Sequence, residues 1–332
     1  MVVPLWLWLV TIVGLLVILA LDIMIVDHRP HAFTVGEAAR WVVFYCACAV
    51  VFGVGIWLVF GGRFAGEFFA GYLTEYSLSV DNLFVFMVIM SSFRVPLVHQ
   101  HRVLLIGVLI ALAFRGGLIG VGSAVISAFG SVFYLFGAFL LYTAYRMIRS
   151  MNDEPDSFKE NAVIRTLRKV APVSADYHDG RSFVRIEGRR MITPMFVVIV
   201  AIGTTDLLFA LDSIPAVFGL TQQAYLVFTV NVFALMGLRQ LYFLIGGLLR
   251  KLHYLPIGLG VLLGYVGIKL ILEVLHDDWQ PFEHGRQSVP VWVPGTGMSL
   301  LVIVAVLALT MVASLVRARL VRRGQPTGRT QG

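Results

Sequence analysis

The stretches TEYSLSVDNLFVF (74–86) and TDLLFALDSIPAVF (205–218) decide how this chain folds, because each is an apolar run with acids set into it. Both follow one pattern, threonine-acid-five residues-aspartate-polar. It is met by Thr74, Glu75, Asp81 and Asn82 in the first stretch and by Thr205, Asp206, Asp212 and Ser213 in the second. At roughly 100° per residue, helical positions seven apart share a face. Thr74 therefore stands in line with Asp81 and Glu75 with Asn82, and likewise Thr205 with Asp212 and Asp206 with Ser213. On an unbroken helix the two acids of each copy differ in height by about 9 Å. Pro215, three residues after Asp212, is expected to disturb the ladder there and free carbonyl oxygens.

The rest of the chain says what solvent these helices meet. Hydrophobic residues are 58% of the 332, charged residues 14%, and the mean hydropathy is +0.86. A water-soluble domain cannot hide that much apolar surface, whereas a bilayer requires runs of about 20 apolar residues. The fold class expected is an all-α polytopic membrane protein. Nine spans are read, at about 4–25, 41–61, 65–92, 103–123, 131–149, 193–218, 222–249, 254–275 and 297–316. Short alternating strands of the kind that build a transmembrane barrel are missing from the pattern. The first run has no basic n-region and no small-residue cleavage site, so it reads as a retained span.

Orientation follows from charge. With the N-terminus outside and the C-terminus in the cytoplasm, 21 of the 26 Lys and Arg fall on inner segments, and only Arg63 and Arg286 lie outside. That asymmetry is the positive-inside signal. The net charge of +7 is thereby a matter of topology and of attraction to anionic lipid, and no nucleic-acid motif is present. Cys46 and Cys48 lie in an apolar span and read as buried thiols. Three regions result: 1–34, an N-terminal helix and loop; 35–275, a transmembrane core with a cytoplasmic loop at 150–192; and 276–332, an outer loop, a last helix and a basic tail. Within the cytoplasmic loop, a basic amphipathic helix is expected in SFKENAVIRTLRKV and a hairpin around Glu187 and Gly188. Asp277, Asp278 and Glu283 make the outer loop acidic, and Lys269 is expected to snorkel from the outer end of its span.

The two motifs mark a larger duplication. Arg115 and Arg239 recur in the spans that follow them, and YLFGAFLLY (134–142) is echoed by YLPIGLGVLLGY (254–265). Spans 3–5 thus repeat as spans 6–8. An odd number of crossings separates the copies, so the second is inserted upside-down, a 3+3 inverted repeat. Secondary transporters of that architecture bind substrate at the repeat interface near the midplane.

A carboxylate at the middle of a span costs roughly 2.5–3.5 kcal/mol on insertion scales, so four of them in two spans need neutralising. Protons, the counter-charges Arg115 and Arg239, or a bound dication would serve. Carboxylate, amide and hydroxyl oxygens suit Mg, Ca and Mn, and the absence of nearby His or Cys argues against Zn or Cu(I). The metal candidates are Glu75, Asp81, Asn82, Asp206 and Asp212, with Ser79, Thr205, Ser213 and Asn231 as supporting oxygens.

In EYSLSVDNLFVF (75–86), QHRVLLIG (100–107), YLFGAFLLYTAYRM (134–147), PVSADYHDGRSFVR (172–185), TDLLFALDSIPAVF (205–218) and FTVNVFALMGLRQLYFLIGGLL (228–249), the chain resembles the TerC family of bacterial integral membrane proteins. The resemblance implies a nine-span protein related to the LysE-type transporters and associated with manganese export. By position, Glu75, Asp81, Asn82, Asp206 and Asp212 match its acidic motifs. Gly203 departs from it, standing where the family usually has Glu. The function expected is export of a divalent metal ion, foremost Mn2+, from the bacterial cytoplasmic membrane in exchange for protons. No enzymatic activity and no cofactor are expected, Mn2+ being substrate. The Tyr-Asp and Gly-x-Gly-Asp pairs of intramembrane aspartyl proteases do not occur. The alternative is a non-catalytic partner in membrane-protein assembly, which plastid relatives suggest. Expected partners are the metal ion and the bilayer, with a second copy or another membrane protein as further candidates.

Overall fold

The apolar runs become helices because a chain withdrawn from water must satisfy its peptide groups within the same segment. The computed structural model describes residues 3–27, 35–129, 132–149, 162–170, 172–174, 176–186, 189–245, 254–276 and 292–324. Five helices come first: α1 (Leu5–Asp27), α2 (Val35–Phe60), α3 (Gly62–Ser92), α4 (Leu97–Ala128) and α5 (Val132–Arg149). The polar insertion follows, with a short α6 (Ala162–Val170), a single 3-10 turn at His178–Gly180, and an antiparallel hairpin of β1 (Phe183–Ile186) and β2 (Arg189–Ile192). The chain then returns to long helices: α7 (Pro194–Phe218), α8 (Ala224–Met236), α9 (Leu238–Ile245), α10 (Leu255–His276) and α11 (Thr296–Gly324). The hairpin's turn residues Glu187 and Gly188 lie outside the described residues, as do Asp277, Asp278 and Glu283.

Among the described residues, seven helices are long and apolar enough to cross a membrane: α2, α3, α4, α7, the run from α8 into α9, α10 and α11. Of the other two expected spans, α1 is a helix of 23 residues, Leu5–Asp27, and the 18 residues of α5 include three tyrosines, Arg146 and Arg149.

The motif helices are continuous. α3 runs unbroken for 31 residues and α7 for 25, with Pro215 inside it. Pro215 removes one ladder bond, as expected, without breaking α7, because it sits in the last turn of the helix. A single turn residue, Gly237, stands between α8 and α9 within the expected seventh span. Glycine is the weakest helix former after proline, so a turn there is inexpensive.

Packing places α3, α7 and α8 at the centre. α3 lies against α2, α7, α8 and α11, α4 lies against α7 and α8, and α5 lies along α10 in the most extensive contact of the fold. Small residues make that last contact. A Cβ on Gly137 would stand 2.9 Å from the carbonyl oxygen of Gly267 and 2.6 Å from Ile271, and one on Gly267 would stand 3.0 Å from the oxygen of Gly137. Helix association in lipid relies on such close backbone approach, because apolar burial offers no advantage over lipid tails. Gly137→Val is therefore expected to lower thermal stability in detergent by the equivalent of about 1–3 kcal/mol. Gly120→Ala, whose Cβ would meet nothing within 4 Å, serves as the neutral control. Equal melting temperatures for the two variants would contradict this account of the α5–α10 seam.

Candidate functional site

Arg115 stands on α4 in the middle of the bundle with 1% of its surface exposed. A guanidinium carries five N–H donors and cannot be deprotonated in a protein, so burying it demands oxygens on every side. α7 supplies a two-pronged grip: Nε donates to Asp206 Oδ2 at 3.1 Å and Nη2 to Asp206 Oδ1 at 3.2 Å. Nη1 donates to Glu75 Oε1 on α3, to Ser213 Oγ at 3.1 Å, and to Asn231 Oδ1 on α8 at 2.9 Å. Asp206 and Ser213 share a face of α7 by their seven-residue spacing, which lets one guanidinium reach both. Asn231 is aimed by its own helix, since its Nδ2 donates back to Val227 O at 2.9 Å and leaves Oδ1 for Arg115.

Four helices, α3, α4, α7 and α8, thus converge on one cation, and the first acid of each motif copy lies on it. The grip does not exhaust the oxygens of α3. Glu75 Oε2, Thr74 Oγ1 and Ser79 Oγ are buried without a hydrogen-bond partner.

The other acids stand elsewhere. Asp81 is half-buried, and Asn82 is buried next to it. Asp212 is half-buried and accepts a long hydrogen bond from Thr143 Oγ1 of α5 at 3.4 Å. Thr205 is buried one residue before Asp206. No group of three or more His, Cys, Asp or Glu side chains able to hold a metal ion occurs among the described residues. Arg239 is buried beside His101, with Nη1 3.4 Å from the ring Nε2. At Gly203 a Cβ would meet Ile110 of α4 at 3.0 Å, so this position is filled by the α4–α7 contact.

The segment PVSADYHDGRSFVR (172–185) has a defined structural task. Tyr177 donates its hydroxyl to Phe93 O at 2.7 Å in the turn between α3 and α4, and its ring lies over His99. Burial pushes the Tyr177 phenol above its usual range, so it stays a donor across neutral pH. Gly180, at φ +74, accepts from Arg102 at 3.4 Å, and a Cβ there would press on His99 Nδ1 at 2.9 Å. The insertion is thereby fastened to the ends of α3 and α4.

One buried acid lies outside the two motifs. Glu67 lies one heptad before Thr74 on α3, with only 5% of its surface exposed. Its Oε2 accepts from Thr221 Oγ1 at 2.7 Å and its Oε1 from Arg63 Nε at 3.0 Å. The seven-residue ladder Glu67–Thr74–Asp81 was the signal that could have found it. Together with Arg63, Thr221, Gln223, Lys269 and Glu273 it lines a polar cavity of about 460 Å³. Lys269 does not snorkel. It is buried and donates to Gly219 O at 2.9 Å, at the end of α7 where backbone carbonyls lack helical partners. Thr221→Val leaves a buried carboxylate oxygen without its donor and is expected to cost about 1–3 kcal/mol. Arg63→Ala removes a partner whose side chain is 79% exposed and is expected to cost under about 1 kcal/mol. Thermal unfolding of the purified variants checks the order, and a larger loss for Arg63→Ala would reverse it.

Comparison with known proteins places this architecture. Residues 60–321 match the family described as the integral membrane protein TerC family. An uncharacterised membrane protein of Mycobacterium tuberculosis is 45% identical over 316 residues, covering 94% of this chain and 79% of its own. The chloroplastic thylakoid membrane protein TERC of Arabidopsis thaliana is 43% identical over 225 residues, covering 68% of this chain and 58% of its own. The membrane-bound protein Alx of Escherichia coli is 36% identical over 265 residues, covering 77% and 82%. No solved structure matches the chain. With seven helices among the described residues fit to cross a bilayer and a family match over most of its length, this multi-span membrane protein belongs to the TerC family.

Proposed function

We propose that the chain exports divalent metal ions, Mn2+ foremost, across the bacterial cytoplasmic membrane in exchange for protons. The observation that carries this is the convergence of Glu75 and Asp206, equivalent acids of the two motif copies, on a single buried cation position now held by Arg115. A place built from carboxylate, hydroxyl and amide oxygens is what a hard dication selects. Glu75, Asp81, Asn82, Asp206 and Asp212 are the proposed ligands along the path, with Ser79, Thr205, Ser213 and Asn231 as neutral oxygens. Asp81 and Asp212 stand apart from the Arg115 cluster, which fits a path that hands the ion between oxygens. The chain acts as a carrier, without catalysis of a covalent step and without a resident cofactor.

The topology proposed is nine spans with the N-terminus outside, spans 3–5 repeating in inverted form as spans 6–8. Supporting it is an exchange symmetry in the packing. α3 lies on α8 as α7 lies on α4, while α3 with α7, α4 with α8 and α5 with α10 exchange into themselves. Two copies of one unit related by a two-fold axis would pack in that pattern, with substrate at their interface.

Asp81→Ala and Asp212→Ala are expected to abolish manganese tolerance and export from cells while leaving the protein in the membrane. Manganese accumulation unchanged from wild type in either variant would sink the proposal. Reconstituted protein that moves no Mn2+ across liposomes would favour an assembly role instead. A reporter fused after Gly332 is expected to read cytoplasmic, and a periplasmic signal would overturn the orientation.

A further inference from the structure

We infer that Arg115 is a tethered competitor of the transported dication: its guanidinium occupies the cation place between Glu75 and Asp206 and must leave before a metal ion can bind there. The inference rests on the export proposal, because it concerns what the ion displaces.

Three observations carry it. First, the oxygens that hold Arg115 are of the kind a hard dication takes: both oxygens of Asp206, one of Glu75, the hydroxyl of Ser213 and the amide oxygen of Asn231. Two cations cannot share that gap, since like charges repel strongly where water is excluded. Second, the acid that holds Arg115 has oxygen to spare. Glu75 Oε2 is buried without a partner, and so are Thr74 Oγ1 and Ser79 Oγ on the same helix, one residue before and one turn after it. A spherical ion seeking six or more oxygens has no directional limit. Third, Arg115 ties both motif copies together across α3, α4, α7 and α8, so an ion that displaces it also releases that cross-link.

The consequence is a carrier that closes on its own charge when empty. Metal binding is weakened by the occupancy of the guanidinium, in the way that a minor binding-competent population lowers any apparent affinity. Return of Arg115 then drives the ion off, which a transport site needs as much as it needs binding.

The test is Mn2+ binding to the full-length protein in nanodiscs, with Mg2+ as comparator, alongside Mn2+ transport in liposomes. Arg115→Gln is expected to bind Mn2+ about tenfold more tightly than wild type, the equivalent of about 1.4 kcal/mol, while transporting it more slowly. Arg115→Lys keeps the charge without the two-pronged grip on Asp206 and is expected to shift affinity in the same direction by less. It decides the matter by the same criterion if Arg115→Gln does not fold. Folded variants that bind Mn2+ no more tightly than a wild type that does bind it would overturn the inference and leave export standing. A wild type that neither binds nor transports Mn2+ would overturn both.

Discussion

A guanidinium 1% exposed in the middle of a helical bundle is held only if its donors meet oxygens, and Arg115 meets oxygens from three other helices. Removing one partner of such a buried pair costs roughly 3–5 kcal/mol, which makes the cluster a constraint on the positions of α3, α4, α7 and α8 together. The same charge sets the terms for any other cation. Unit charges about 4 Å apart interact by about 4 kcal/mol at an effective dielectric of ~20, so a dication at that distance would be opposed by about 8 kcal/mol. The center of the protein is therefore a place for one cation at a time.

The scaffold around this charge is built by close approach. Gly137 and Gly267 bring α5 and α10 into backbone contact, and Gly203 lets Ile110 of α4 settle against α7. By resemblance, the glycine at 203 stands where the family usually has Glu. In the fold it is the space into which the helix bearing Arg115 packs, so the absent carboxylate and the tight α4–α7 seam are one fact. The segment 172–185 contributes from outside the bundle, pinning the α3–α4 turn through Tyr177 and Gly180.

Several expectations changed at helix ends, where local sequence is least decisive. Pro215 disturbs its ladder by one bond only, because it lies where α7 is already finishing. Gly237 gave no warning beyond its low propensity, yet it divides α8 from α9, two residues before Arg239 meets His101. Lys269 turned inward because the carbonyl of Gly219 offers a partner at the end of α7. Each outcome depended on what stood across the gap, which one-dimensional spacing does not report.

The sequence by itself determined that the chain is a helical membrane protein and that Glu75, Asp81, Asp206 and Asp212 form a duplicated pattern, because hydropathy and the 3.6-residue period act locally. The seven-residue spacing also placed Asp206 and Ser213 on one face, as the shared guanidinium requires. Which acids meet was decided only by tertiary structure. Glu75 and Asp206, 131 positions apart, share Arg115, while Asp81 and Asp212 do not. Glu67 gained its meaning from Thr221, far along the chain, and from the cavity both line. The physical reason is that a helix face fixes direction and leaves the neighbour unnamed. Which buried charge is neutralised, and by what, follows from helix packing that brings distant oxygens within 3 Å or so of one donor.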